Sequence, residues 1–135
     1  MIRRHRGAVV KTIGDAAMGA FNDPLDAVRC AREIHEVFHP RRADLPVRLR
    51  ISLNTGSCIA VRLNANIDYF GGTVNVAAKI QALAESWQIA LALSTWNAPG
   101  VADWISTQGG TLDDVEYRSK ALPAAVIAKR WTIWT

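Results

Sequence analysis

The hydrophobic and polar positions change period several times along the chain, and each change predicts an element. Gly7–Ile13 is rich in apolar and β-branched residues, Gly14-Asp15 is a two-residue turn signal, and Ala16–Phe21 resumes the apolar run, which predicts a β-hairpin. Asn22-Asp23-Pro24 then supplies a cap and a proline suited to a first helical turn. Val28, Ala31, Ile34, Val37 and Phe38 follow at helical spacing, so a helix is predicted from about Pro24 to His39, with Pro40 stopping it. From Val47 the pattern Val-Arg-Leu-Arg-Ile-Ser-Leu alternates strictly, placing Val47, Leu49, Ile51 and Leu53 toward a core and Arg48 and Arg50 toward water. A further strand is predicted over Ile59–Leu63. Gly71-Gly72 breaks the chain before Val76, Ala77, Ile80 and Leu83 mark an amphipathic helix. Strands near Gln88–Leu93, Val115–Tyr117 and Ala125–Trp134 close the pattern. The order is ββαββαβ and then mostly strand, which predicts an α+β sandwich with helices packed on a largely antiparallel sheet.

Composition narrows this picture. The chain has 135 residues, the size of one domain, and residues 1–135 are read as a single unit without internal repeats or a linker. Half of the residues are apolar and 21% are charged, which excludes a disordered tail, a collagen-like repeat and a disulfide-stapled miniprotein. No apolar run approaches the roughly 18 residues that cross a bilayer. The start, Met1-Ile2-Arg3-Arg4-His5-Arg6, lacks the apolar stretch of a secretory signal, so a cytoplasmic location without a membrane segment is expected. The net charge of +4 does not predict nucleic-acid binding. Arg3, Arg4 and Arg6 are terminal, Arg41 and Arg42 flank a proline loop, and no aromatic interleaving accompanies Arg48 and Arg50. Cys30 and Cys58 have no metal-type spacing and read as small reduced hydrophobes.

Candidate chemistry begins with a decoy. His35-Glu36-Val37-Phe38-His39 fits H-E-x-x-H, in which two imidazoles one helical turn apart hold zinc and the glutamate activates water. Pro40 follows at once and no third ligand has a recognisable context, so exposed helix-end histidines, with Val37 and Phe38 in the buried stripe, are the expected reading. More is suggested by polar residues set where the folding pattern favours apolar residues or tight turns. Lys11 interrupts an apolar strand, Asp15 sits at the hairpin tip, and Asp68 lies just before a helix. On that helix Asn75 and Lys79, at i and i+4, share a face. Taken singly, each also has a structural explanation as an edge charge, a turn former, a loop residue or helix surface.

Two longer runs carry a resemblance. Lys11-Thr12-Ile13-Gly14-Asp15-Ala16-Ala17-Met18, together with Asp68-Tyr69-Phe70-Gly71-Gly72-Thr73-Val74-Asn75-Val76-Ala77-Ala78-Lys79, resembles the class III adenylate/guanylate cyclase catalytic domain. The likeness extends to about Ser94 and more faintly to Lys120-Ala121-Leu122-Pro123. It implies a ferredoxin-like nucleotidyl cyclase sandwich lacking its first strand and helices. It also implies that Asp15 is a metal-binding carboxylate, that Lys11 and Asp68 read the purine, and that Asn75 orients the ribose. Lys79 falls where the family usually places a transition-state arginine, and Lys120 matches a lysine that reaches the triphosphate. Trp87, where small glycine-type residues are common, and Ala121 in place of a glycine are further departures.

The function implied is conversion of ATP to 3′,5′-cyclic AMP and pyrophosphate in signal transduction, with Mg²⁺ or Mn²⁺ in a two-metal site. The partners implied are ATP and a second cyclase domain, in a homodimer or heterodimer. A carboxylate such as Asp68 accepts from the exocyclic amine of adenine and a lysine such as Lys11 donates to a ring nitrogen, the pattern of ATP rather than GTP. Only one metal carboxylate, Asp15, is identified, so weak or absent activity of this chain alone is expected. The alternative from another class is a catalytically silent cyclase-homology module that binds a partner or nucleotide.

Overall fold

The computed structural model describes residues 1–13, 15–45, 48–63, 66–120 and 122–134. β1 (Gly7–Ile13) and β2 (Ala16–Phe21) form the predicted antiparallel hairpin. Ile13 pairs with Ala16, so the connection is two residues long; Gly14 of the predicted turn lies outside the described residues. α1 spans Pro24–Phe38, with Pro24 in the first turn and the Asp23 side chain accepting from the Leu25 N–H at 3.0 Å. That cap satisfies one of the four N–H groups a helix start leaves unpaired.

The remaining elements are β3 (Ile51–Leu53), β4 (Ile59–Leu63), β5 (Asn66–Phe70), α2 (Gly72–Ile80), β6 (Gln88–Ala92), α3 (Leu93–Trp96), α4 (Val101–Ser106), β7 (Thr111–Tyr117) and β8 (Val126–Thr132). Among the described residues the strands form three sheets: the β1-β2 hairpin, the β4-β5 hairpin, and a four-stranded sheet in the order β3-β6-β8-β7. All pairs are antiparallel except β3 with β6, in keeping with the α+β class and its largely antiparallel sheet.

The core lies where α1 and α4 cover the four-stranded sheet. Val28 and Ala31 of α1, Ile89 and Leu91 of β6, Val101 and Ile105 of α4, and Trp131 of β8 are buried together. Full burial of each large apolar side chain is worth roughly 1.5–3 kcal/mol. Trp131 keeps its polar atom satisfied by donating Nε1–H to the Gly109 carbonyl at 3.0 Å.

Several expectations need correction. The alternating run from Val47 forms a ladder only over Ile51–Leu53. Val47 itself lies outside the described residues, while Arg48 and Arg50 are exposed as expected. The segment of Asp68 is strand β5, zipped to β4 with Asp68 opposite Val61, rather than a loop. The second amphipathic helix ends at Ile80 and tightens into a 3-10 turn over Gln81–Leu83. The C-terminal third contains α3 and α4, whose buried Thr95, Val101 and Ile105 are fixed by tertiary packing. Val37 is 43% exposed, because the buried face of α1 runs through Val28, Ala31 and His35 instead. Cys30 is buried, but Cys58 is exposed beyond β3. No helix of the described residues is long and apolar enough to cross a membrane.

Candidate functional site

A polar contact joins the two hairpins. Lys11 lies in β1 just past an irregularity: Val9 pairs with Gly19 but Lys11 pairs with Met18, leaving Val10 as an extra residue. Such a bulge bends a strand and re-aims the side chains beyond it. Lys11 Nζ donates to Asp68 Oδ2 at 3.0 Å across 57 residues of sequence. The other oxygen, Oδ1, accepts from the Tyr69 N–H at 2.8 Å, and the Lys11 ammonium stands 5.7 Å from the centroid of the Phe70 ring. The hydrogen bond from Lys11, reinforced by Tyr69 N–H, holds the Asp68 carboxyl below the usual carboxylate range. An ionised carboxylate has about four acceptor sites and an ammonium three donors. This pair therefore retains acceptor and donor capacity for a further ligand without giving up its own bond.

β5 runs almost directly into α2. Gly71 makes the join at φ +128° and ψ 178°, a conformation open to glycine and strained for residues with a Cβ. Asn75 and Lys79 then fall one turn apart on α2, Asn75 exposed and Lys79 half-buried. The structure thus joins Lys11 to Asp68 and sets Asn75 and Lys79 on one helix reached from the same strand. Asp15 is exposed in the turn between β1 and β2, and Lys120 is exposed in the connection between β7 and β8. Among the described residues, no hydrogen bond or ion pair joins Asp15 or Lys120 to the Lys11–Asp68 pair. Ala121 lies outside the described residues. Tyr69 and Phe70 also touch the pair. Their place beside Asp68 in the β5 motif was a signal in the sequence, but their roles were not.

The donor set does not fit a complete two-metal centre. Among the described residues no group of three or more His, Cys, Asp or Glu is placed to hold a metal ion, and Asp15 is a lone exposed carboxylate. Nor is the H-E-x-x-H run a zinc site. His35 is fully buried, which corrects the expectation of exposed histidines, because it faces β6 and donates Nε2–H to the Gln88 carbonyl at 3.0 Å. Burial holds its pKa below the ordinary histidine value, with the nearby positive Arg32 and the His39 ring acting in the same direction. His39 stacks on Trp134 with ring centroids 4.1 Å apart.

Comparison with known proteins agrees with this architecture. The family model described as the adenylate and guanylate cyclase catalytic domain matches residues 1–108. A Rhizobium meliloti protein named "Putative adenylate cyclase 3" is 34% identical over 87 residues, which are 64% of this chain and 15% of that protein. A Mycobacterium tuberculosis protein is 35% identical over 106 residues, 78% of this chain and 26% of its own length. The chain therefore spans about a quarter or less of these two relatives. The crystal structure of an adenylate/guanylate cyclase/hydrolase from Silicibacter pomeroyi superposes with a TM-score of 0.77 at 27% identity, covering 96% of this chain and 73% of that one. With the family matched over most of its length and the sandwich shared with a solved cyclase domain, this chain belongs to the adenylate and guanylate cyclase catalytic domain family.

Proposed function

We propose that this chain is the base-reading and ribose-orienting part of an adenylate cyclase, which converts ATP to 3′,5′-cyclic AMP and pyrophosphate. The observation that carries the reading is the Lys11–Asp68 pair, held at 3.0 Å with spare donors and acceptors. Adenine offers an amine donor beside a ring-nitrogen acceptor, so Asp68 takes the amine hydrogen and Lys11 donates to the ring nitrogen. Guanine offers the opposite pattern at those positions and leaves Asp68 facing a carbonyl oxygen. Asn75 bonds the ribose and holds its 3′-oxygen in line with the α-phosphorus. The 3′-oxygen bonds to the α-phosphorus, its proton passes to solvent water, and the bond from the α-phosphorus to the pyrophosphate oxygen breaks. Lys79 neutralises charge developing on the α-phosphate, and Lys120 binds the triphosphate.

Such cyclisation uses Mg²⁺ or Mn²⁺, and Asp15 is the one carboxylate this chain assigns to an ion. Further carboxylates come from a partner domain, and the chain works as a homodimer or as a heterodimer with another cyclase domain. Exposed apolar residues on the two hairpins support such a face: Val9 on β1, and the cross-strand pair Ile59 and Phe70 on β4 and β5. The single carboxylate also favours a second reading, a catalytically silent module that binds nucleotide or a partner.

One assay separates these readings. Cyclic nucleotide formation is measured with Mn²⁺ and ATP, for the chain alone and for the chain mixed with a cyclase domain that keeps both metal carboxylates but has its base-reading residues disabled. The first reading expects activity only in the mixture, abolished by Asn75→Ala. A mixture that stays inactive while the chain still binds ATP supports the silent module, and cyclic AMP at enzyme-like rates from the chain alone contradicts the incomplete metal site.

A further inference from the structure

α2 has nine residues, shorter than the roughly 12–15 at which an isolated helix holds in water. Its N-cap, Gly71, makes no side-chain capping bond. Its placement therefore depends on what it meets, the packing of its buried Ile80 and a set of bonds from outside the helix. Asn54, in the loop after β3, donates Nδ2–H to the Thr73 carbonyl at 3.0 Å. One turn further on, Ser52 of β3 donates its hydroxyl to the Ala77 carbonyl at 2.6 Å. Thr73 returns a bond from its own hydroxyl to the Ser57 carbonyl at 2.7 Å. Contact there is close: a Cβ on Gly56 would stand 2.6 Å from Thr73 Oγ1.

The other end of the Asn54 amide is also committed. Its Oδ1 accepts from Ser94 Oγ at 2.9 Å, and Ser94 Oγ in turn accepts from the Thr55 N–H at 3.2 Å. Thr55 and the buried Thr95 share a hydroxyl contact at 2.8 Å. Ser94 and Thr95 belong to α3, which follows core strand β6 without a break. A continuous set of bonds thus runs from β6 and α3, through Asn54, to the first turn of α2.

The clamped positions are 73 and 77, and at about 100° per residue, positions 75 and 79 lie roughly 200° further round the helix. The helix is gripped on one side and carries Asn75 and Lys79 on the other. We infer that Asn54, with Ser52 and the Thr73 hydroxyl, is a positioning set that fixes the rotation and register of α2 so that Asn75 and Lys79 meet the nucleotide. This inference rests on the function proposed above for Asn75 and Lys79; the clamp itself does not.

The test uses the full chain and reads the clamp and the chemistry separately. Amide hydrogen exchange is followed in the wild type, Asn54→Asp, Ser52→Ala, Thr73→Val and Thr73→Ser. Asn54→Asp replaces the donor with an oxygen that faces the Thr73 carbonyl, and Thr73→Ser keeps the hydroxyl that Thr73→Val removes. Exchange of α2 amides is expected to rise about tenfold in the first three variants, with β6 and β8 unchanged and Thr73→Ser close to wild type. Unchanged α2 exchange, or an equal rise across β6 and β8, overturns the clamp. In the cyclase mixture, the same three variants are expected to lower kcat about tenfold with KM for ATP held within about twofold, and Thr73→Ser to restore kcat. Equal losses in Thr73→Val and Thr73→Ser, or a change confined to KM, overturn the positioning role. A wild-type mixture that makes no cyclic AMP refutes the proposed function, and the exchange experiment still decides the clamp.

Discussion

Replacing Trp87 with alanine and with glycine separates two energies that oppose each other at this residue. Its backbone sits at φ +68°, in the left-handed region, which costs an L-residue about 1–2 kcal/mol. Its side chain is 7% exposed and packs edge-on against His35 and His39, with ring centroids 5.7 and 5.4 Å away. Removing a buried tryptophan costs about 3–5 kcal/mol. Alanine loses that packing and keeps the backbone strain. Glycine loses the same packing but relieves the strain, and gives back about 0.5–1 kcal/mol through a more flexible unfolded chain. Both variants are therefore expected to be less stable than wild type by several kcal/mol, with glycine the better of the two by about 0.5–1 kcal/mol. Urea unfolding followed by far-ultraviolet circular dichroism reads both differences. An alanine variant as stable as the glycine variant refutes the strain, and a glycine variant matching wild type refutes the burial.

Three further outcomes follow from the same geometry. Burial holds His35 below its ordinary value of 6.5, so its neutral form is preferred in the fold. The stability it contributes is present above about pH 6.5 and is lost as pH falls toward the folded pKa; thermal melts should show this decline, and His35→Gln should flatten it. Gly71→Ala places a Cβ at φ +128° and should cost about 1–3 kcal/mol, measured by urea unfolding; an unchanged midpoint contradicts the strain assigned to this join. Lys79→Arg should raise cyclic AMP formation in the complemented mixture, because a planar guanidinium grips a developing phosphate charge at two points; an unchanged or lower kcat places Lys79 away from the phosphate.

The parts of the fold legible in the sequence are those with local causes. α1 follows from the Asp23 cap, Pro24 and a long helical period, and the first hairpin from a two-residue turn between apolar runs. β5 reads as a loop in the sequence because Ile67-Asp68-Tyr69-Phe70 has little alternation and owes its strand state to pairing with β4. α3 and α4, four and six residues long, are too short to show a helical period and are set by packing, α3 on β6 and β8 and α4 against α1. His35 reads as exposed in the sequence because a polar residue on an amphipathic helix looks solvent-facing until a carbonyl such as that of Gln88 is placed opposite it.

The candidate site divides in the same way. Asn75 and Lys79 share a face by helical arithmetic alone, whereas the contact of Lys11 with Asp68 joins strands 57 residues apart and was reachable only through the resemblance of the two motifs. Asn54-Thr55-Gly56-Ser57 draws no functional reading from the sequence. Its partners on α2 and α3 are not visible there, because they depend on how three elements stack.

If Lys11 and Asp68 read adenine as proposed, base preference in the complemented mixture reports it directly. Initial rates with ATP and with GTP are compared for the wild-type chain and for Lys11→Glu combined with Asp68→Ser, which exchanges donor for acceptor at each position. The wild type is expected to prefer ATP and the double variant to shift the preference toward GTP, while each single variant weakens ATP use without a comparable gain for GTP. An unchanged ATP-to-GTP ratio in the double variant would contradict the claim and assign base recognition to other residues.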